Sequence, residues 1–259
     1  MQKKKELVYL LFTVLFLTSC AELVQLSRTL PSGVMQPGTI PVSTTENVAG
    51  LKNSLELGIV SAVNILNQEN GFYGNELLKL ALPAEAKPIL DNIRLIPGGQ
   101  ELVEKAILSI NRSAEDAVKE ALPIFKDAIL KMTINDAATI LFGPDNAATE
   151  YLRSTTYTQL KAAFAPKIGL SLAKPLVANV STTDTWDLLH NGYNKAAGTT
   201  AGMLMGLKKV NIKLQDYVTE RALDALFIKV AEEEKSIRLD PKARVNTLLK
   251  RVFGQLDKK

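Results

Sequence analysis

Between Met132 and Arg153 the chain reads MTINDAATILFGPDNAATEYLR, two helix-forming runs separated by Gly143, Pro144 and Asp145. Thr133 can cap the first run, with Asp136 three residues on completing a capping box. Gly143 ends that helix with a residue tolerant of positive φ, and Pro144 forbids its continuation. Asp145 or Asn146 can then cap the second helix, which the residues from Tyr151 to Ala165 extend until Pro166. A chain punctuated in this way must build a helical hairpin, and the rest of the fold has to pack around it.

The flanking periodicity is helical too. Leu51, Leu55, Ile59, Ala62, Val63 and Leu66 recur at three- and four-residue steps, as do Val103, Ile107, Ile110, Ala114, Ala117 and Ala121. From Tyr217 to Arg238 a third such stripe carries Leu223, Leu226, Phe227, Val230 and Ile237, after which Asp240 and Pro241 open a last helix ending at Gly254. Shorter helices fit 72–97, 168–179 and 183–196. With 46% hydrophobic and only 6% aromatic residues, the chain predicts an all-α fold. We expect a single multi-helix domain over residues 47–259 with about eight to ten helices. The stretch GYNKAAGTTAGMLMGLKK, 192–209, is apolar but rich in glycine. It predicts a mobile loop or weak helix folded as a lid over the domain's own core, with contact to a membrane or ligand as the alternative.

The amino terminus follows a different logic. Lys3, Lys4 and Lys5 precede an apolar run from Leu7 to Leu17, and then Thr18 and Ser19 place small residues before Cys20. This is the layout of an export signal over residues 1–19, too short to remain as a bilayer-spanning helix. The tetrapeptide Leu17-Thr18-Ser19-Cys20 resembles the bacterial lipobox, in which the cysteine thiol takes a diacylglycerol and becomes the first residue after cleavage. Cys20 is therefore the expected lipidation site and its acyl chains the expected membrane contact. Two or three such chains hold a protein on a bilayer essentially for good. Once Cys20 is consumed no cysteine remains for a disulfide. Residues 20–46, with Pro31, Gly33, Pro37, Gly38 and Pro41, read as a flexible tether. Ala21 stands where lipoproteins retained at the inner membrane carry aspartate. By resemblance to those sorting rules the expected address is the cell envelope, lipid-anchored at the outer membrane and facing the periplasm.

Charge excludes some roles. The 31 basic and 27 acidic residues give +4, and loss of the leader with Lys3, Lys4, Lys5 and Glu6 leaves about +2, with no basic run that would suit nucleic acid. His190 is the single histidine; it offers no imidazole metal site, and a histidine beside Trp186 and Tyr193 reads as packed and hydrogen-bonded. No zinc-protease helix, nucleophile elbow, phosphate loop or dinucleotide glycine motif occurs. No catalytic residue, metal or cofactor is assigned.

Polar residues on apolar faces are more informative. Asn111 falls in the stripe of Ile107, Ala114 and Val118, and Glu234 in that of Phe227, Val230 and Ile237. Burial without partners is costly, so each needs a mate. The candidates are Arg112, Arg153, Arg221 and Arg238, with Asp136, Asp145 and Glu115 as acceptors, and for Glu234 above all Arg112 or Arg153. Asn111, Arg112, Glu115, Asp136, Asp145, Arg153, Glu234 and Arg238 thus form a possible buried polar network, or a ligand cleft between the hairpin and the C-terminal helices.

Three blocks resemble a known family. SINRSAEDAV, PIFKDAILKMTINDAATILFGPDNAATEYLR and DYVTERALDALFIKVAEEEKSIRLDPKARVNTLLKRVFG resemble, in that order, the bacterial domain of unknown function 4197, over roughly Leu51 to Gly254. The resemblance implies a helical, exported protein of Gram-negative bacteria and assigns no activity. Two function classes follow. The first is a non-enzymatic binding or assembly module of the envelope, whose partner is an envelope protein or a small ligand. The second is a periplasmic enzyme using Asp136 or Asp145 with Glu234 as acid and base or on a divalent cation.

Overall fold

The computed structural model describes residues 41–257. The export signal, Cys20 and the tether up to residue 40 lie outside the described residues. Val42–Lys259 is one compact unit with its own hydrophobic core, and no strand occurs among the described residues.

The first helix, α1, spans Thr44–Leu66 and buries Leu51, Leu55, Ile59, Ala62, Val63 and Leu66. It begins inside the stretch assigned to the tether. Ser43 and Glu46 form a reciprocal capping box that satisfies the first backbone N–H groups there. Asn67 caps its C-terminus, and Gly71 and Gly74 sit in the turns that follow. Short pieces then lead through α2 (Lys87–Asp91) to α3 (Gly99–Ala117). A 3-10 turn over Val118–Ala121 passes into α4 (Leu122–Lys131).

The hairpin consists of α5 (Ile134–Leu141) and α6 (Ala147–Leu172). Thr133 and Asp136 make the expected capping box, but the corner differs in two ways. Gly143 does not use positive φ, and neither Asp145 nor Asn146 caps α6 through its side chain. Pro166 also fails to stop α6, which runs on to Leu172; it takes in only the first residues of the helix expected at 168–179, and the rest of that stretch is turn. Pro166 and Ala162, whose carbonyl loses its donor, are both exposed, so the break in the ladder falls on the solvent side of the helix. The penalty of about 3 kcal/mol for an interior proline is offset because continuing the helix buries Ile168 and Leu172, at roughly 1.5–3 kcal/mol each.

Next come α7 (Thr182–Ala197), α8 (Thr200–Leu204) and α9 (Leu214–Leu239). Asp240 caps only a 3-10 turn at Pro241–Ala243. The last helix, α10 (Thr247–Phe253), takes its cap from Asn246. Helix α9 packs along α6 and α1, while α6 turns its other sides to α3 and α4, and α3 supports α7. Helix α10 lies so close to α1 that a Cβ at Gly50 would fall 2.5 Å from Val252 Cγ2. The 192–209 stretch is the clearest departure from expectation: it is no lid, and Met203, Leu204 and Met205 stand out into solvent.

Candidate functional site

Glu234 sits on the buried face of α9 between Val230 and Ile237 and is 8% exposed. Its Oε1 accepts from the Ala148 N–H at 2.9 Å and from Arg238 Nε at 2.9 Å. Its Oε2 accepts from the Thr149 N–H and the Thr149 hydroxyl, both at 2.8 Å. The cap that α6 lacks locally is therefore supplied from α9, with a negative charge at the positive end of the helix dipole. Arg238, 3% exposed, donates its two terminal nitrogens to the carbonyls of Leu141 and Ile140 at 2.9 Å each. Those are the last carbonyls of α5, so a cation meets the negative end of that dipole. One ion pair on α9 thus clasps both ends of the hairpin corner.

A second clasp was not singled out by the sequence. Arg244, 2% exposed, donates to the carbonyls of Ile237 and Arg238 at 3.0 and 2.8 Å, closing the C-terminus of α9. It also grips both oxygens of Asp257 at 2.7 and 2.6 Å. These bonds hold the Asp257 carboxyl below the usual carboxylate range. An arginine five residues beyond a helix end is the available signal, although its side chain must fold back to use it.

The remaining candidates divide into separate groups. Asn111, fully buried, accepts from the Leu80 N–H at 2.9 Å and donates to the carbonyls of Leu80 and Ile107 at 2.8 and 2.7 Å. Glu115 accepts from the N–H groups of Phe72 and Tyr73 at 3.1 and 3.2 Å and from Arg112 at 2.6 Å. Arg112 also reaches Glu69 and Asn70. Together these residues fasten the 67–81 loop to α3. Arg153 pairs with Asp224 at 3.0 Å and lies over the Phe227 ring, and Arg221 pairs with the same aspartate at 2.7 Å. Asp136 stays in its capping box and takes the Tyr151 hydroxyl at 3.1 Å. Hydrogen bonds from Thr133, with a smaller one from Tyr151, lower its pKa. Asp145 is exposed at the corner and joins none of these groups.

Neither Arg112 nor Arg153 is the mate of Glu234, because Arg238 one turn along the same helix reaches it first. The eight residues also form neither one network nor an open cleft. Beside Glu234 there is only a cavity of about 10 Å³, lined among others by Leu51, Leu55 and Phe253, which holds at most one water.

A roomier concavity than this one lies between the C-terminal part of α6, α7 and the start of α9. It measures about 360 Å³ and is lined by Trp186, Asp187, His190, Asn191 and Gln215 with apolar neighbours. His190 stacks on Trp186 with ring centroids 5.9 Å apart. Its Nε2 lies 3.0 Å from the Val210 carbonyl and 3.3 Å from Asn194 Nδ2, and its Nδ1 lies 3.2 Å from Asn191 Oδ1. Asn194 brackets Val210 from both sides, at 2.9 Å to its carbonyl and 2.9 Å to its N–H. Gln215 closes down on Gly169, where a Cβ would lie 2.7 Å from its Oε1. The histidine thereby holds the 207–213 segment against α7 and lines the pocket as it does so. Among the described residues, no three His, Cys, Asp or Glu side chains gather into a group that could hold a metal ion.

The fold and its clasps define an all-helical domain whose buried charges tie helix ends together. The family described as "Protein of unknown function (DUF4197)" matches residues 41–254, and the chain belongs to it. Neither a curated protein nor a solved structure matches the chain.

Proposed function

We propose that this protein is a lipid-anchored component of the bacterial cell envelope, held at the outer membrane through Cys20, whose helical domain is a non-enzymatic binding or assembly module. The export signal and lipobox-like Leu17-Thr18-Ser19-Cys20 support the address.

The observation that carries the module reading is the commitment of the buried carboxylates. Each oxygen of Glu234 already accepts two hydrogen bonds, and Glu115 is divided among two backbone N–H groups and Arg112. A general acid or base needs a lone pair or proton within reach of substrate, and a cation ligand needs a free oxygen. The Trp186 pocket supplies the place for a small ligand. It presents an aromatic ring with neutral amides and a single carboxylate, and no arginine or lysine lines it. That chemistry suits an uncharged polar molecule better than an anion.

The test is chemical crosslinking in intact envelopes followed by purification of the full, lipidated chain. The module reading expects a discrete crosslinked partner whose recovery is unchanged by Asp136→Asn and Asp145→Asn. Recovery of the chain alone from envelopes crosslinked to completion would contradict it.

A further inference from the structure

The stretch from Leu188 to Gln215 contains Lys195, Lys208, Lys209 and Lys213 and no aspartate or glutamate. All four lysines are exposed, and among the described residues none of them makes an ion pair. In the middle of this stretch, Met203, Leu204 and Met205 are 63%, 85% and 62% exposed. Three consecutive large apolar side chains in water are unfavourable unless something covers them.

The tip is built to stay out. Thr199 caps α8 by accepting from the Gly202 N–H at 3.0 Å. Gly202 itself presses so closely on α7 that a Cβ there would meet the Ala196 carbonyl at 2.2 Å. Gly206, at φ +72°, turns the chain back in a conformation that only glycine adopts freely. The Leu207 N–H then donates to the Gly202 carbonyl at 3.0 Å. Beyond the tip the Tyr193 hydroxyl holds the Lys208 carbonyl at 3.0 Å, and Leu207, Val210 and Ile212 pack on the core. The apolar triad therefore projects from a braced turn whose flanks carry one sign of charge.

We infer that this tip is a membrane-docking element that inserts Met203, Leu204 and Met205 into the surface of a bilayer rich in anionic lipid, with Lys195, Lys208, Lys209 and Lys213 meeting the headgroups. A convex triad of side chains is far smaller than the roughly 800 Å² per partner of a stable protein interface. Lysines on both sides of the apolar point in sequence, with no carboxylate between Leu188 and Gln215, instead match a continuous negative surface with an apolar interior. The inference takes the presence of a bilayer from the envelope reading. The docking itself can be measured without the anchor, so the two fail separately.

The test is cosedimentation of a chain of residues 42–259, which lacks Cys20 and carries its own core, with vesicles of equimolar phosphatidylethanolamine and phosphatidylglycerol or of phosphatidylcholine alone. The expected result is binding to the anionic vesicles, weakened by salt and at least tenfold weaker or absent on phosphatidylcholine. Leu204→Asp should abolish binding. Lys208→Ala with Lys209→Ala should reduce it about tenfold to thirtyfold, each lysine near an anionic surface contributing roughly a factor of five. Leu77→Asp, at an equally exposed leucine elsewhere (81%), should change nothing. All substituted side chains are exposed, so unchanged thermal unfolding confirms that the fold persists. No binding to the anionic vesicles, or binding that survives Leu204→Asp, would overturn the inference and leave the lipidation of Cys20 untouched.

Discussion

Replacing Glu234 with alanine removes the acceptor for four donors at once: the N–H groups of Ala148 and Thr149, the Thr149 hydroxyl and Arg238 Nε. Arg238 stays 3% exposed with its charge uncompensated, though still bound to the Ile140 and Leu141 carbonyls. Breaking a buried pair from one side costs about 3–5 kcal/mol, and loss of a helix N-cap about 1 kcal/mol. The two overlap, because the same carboxylate serves both, so we expect about 4 kcal/mol. Against a total stability of roughly 5–15 kcal/mol for a domain this is a large share. Urea titration followed by far-ultraviolet circular dichroism measures it directly. Arg238→Met should also destabilise, and the double variant should lose less than the sum of the two single losses, since the pair is removed only once. If Glu234 served a ligand or a proton instead, its loss would leave stability level or raise it. A change within about 0.5 kcal/mol, the range of ordinary surface substitutions, would refute the clasp.

Gly50→Ala places a Cβ 2.5 Å from Val252 Cγ2. We expect a net loss of up to about 2 kcal/mol in the same titration, overpacking of about 1–3 kcal/mol being partly offset by a helix-propensity gain of about 1 kcal/mol; a more stable variant would show that α1 and α10 do not meet so closely. Asp257 and Asp136 both titrate below their ordinary value, held there by hydrogen bonds from Arg244 and from Thr133 respectively. A carboxyl depressed in the folded state contributes stability that is present above its unfolded pKa, about 3.9, and disappears as pH falls through the folded value. The urea midpoint should therefore hold from neutral pH to about 5 and fall below about 4, and Asp257→Asn should flatten part of that fall. A midpoint indifferent to acid would contradict both assignments.

Much of this architecture is legible in the chain because it is local. The Thr133 and Asp136 capping box, the stripes of α1, α3 and α9, and the polar intruders Asn111 and Glu234 all follow from three- and four-residue spacing. The misreadings arise where tertiary structure overrides a local rule. Pro166 reads as a stop, yet α6 continues because the stripe beyond it is buried. Asp145 and Asn146 read as caps, yet the capping oxygens come from Glu234, 85 residues further on for Thr149. Sequence spacing points to Arg238 as one turn from Glu234 but cannot show that its other nitrogens reach α5. Arg244 bears no periodic signature, since its role depends on a 3-10 turn folding it back. The apolar run at 203–205 reads as a lid because apolar segments usually find cover; here the bracing of Gly202 and Gly206 holds it outward.

The proposed lipid anchor rests on a single atom, the sulfur of Cys20, in a sequence with no other cysteine. Cells expressing the full chain or its Cys20→Ala variant, grown with radiolabelled palmitate, give the most direct test. The parent is expected to take up label and to fractionate with the envelope, and the variant to accumulate as an unlabelled, unprocessed precursor. Equal labelling of the two, or a parent that is processed but carries no acyl chain, would contradict the lipoprotein assignment.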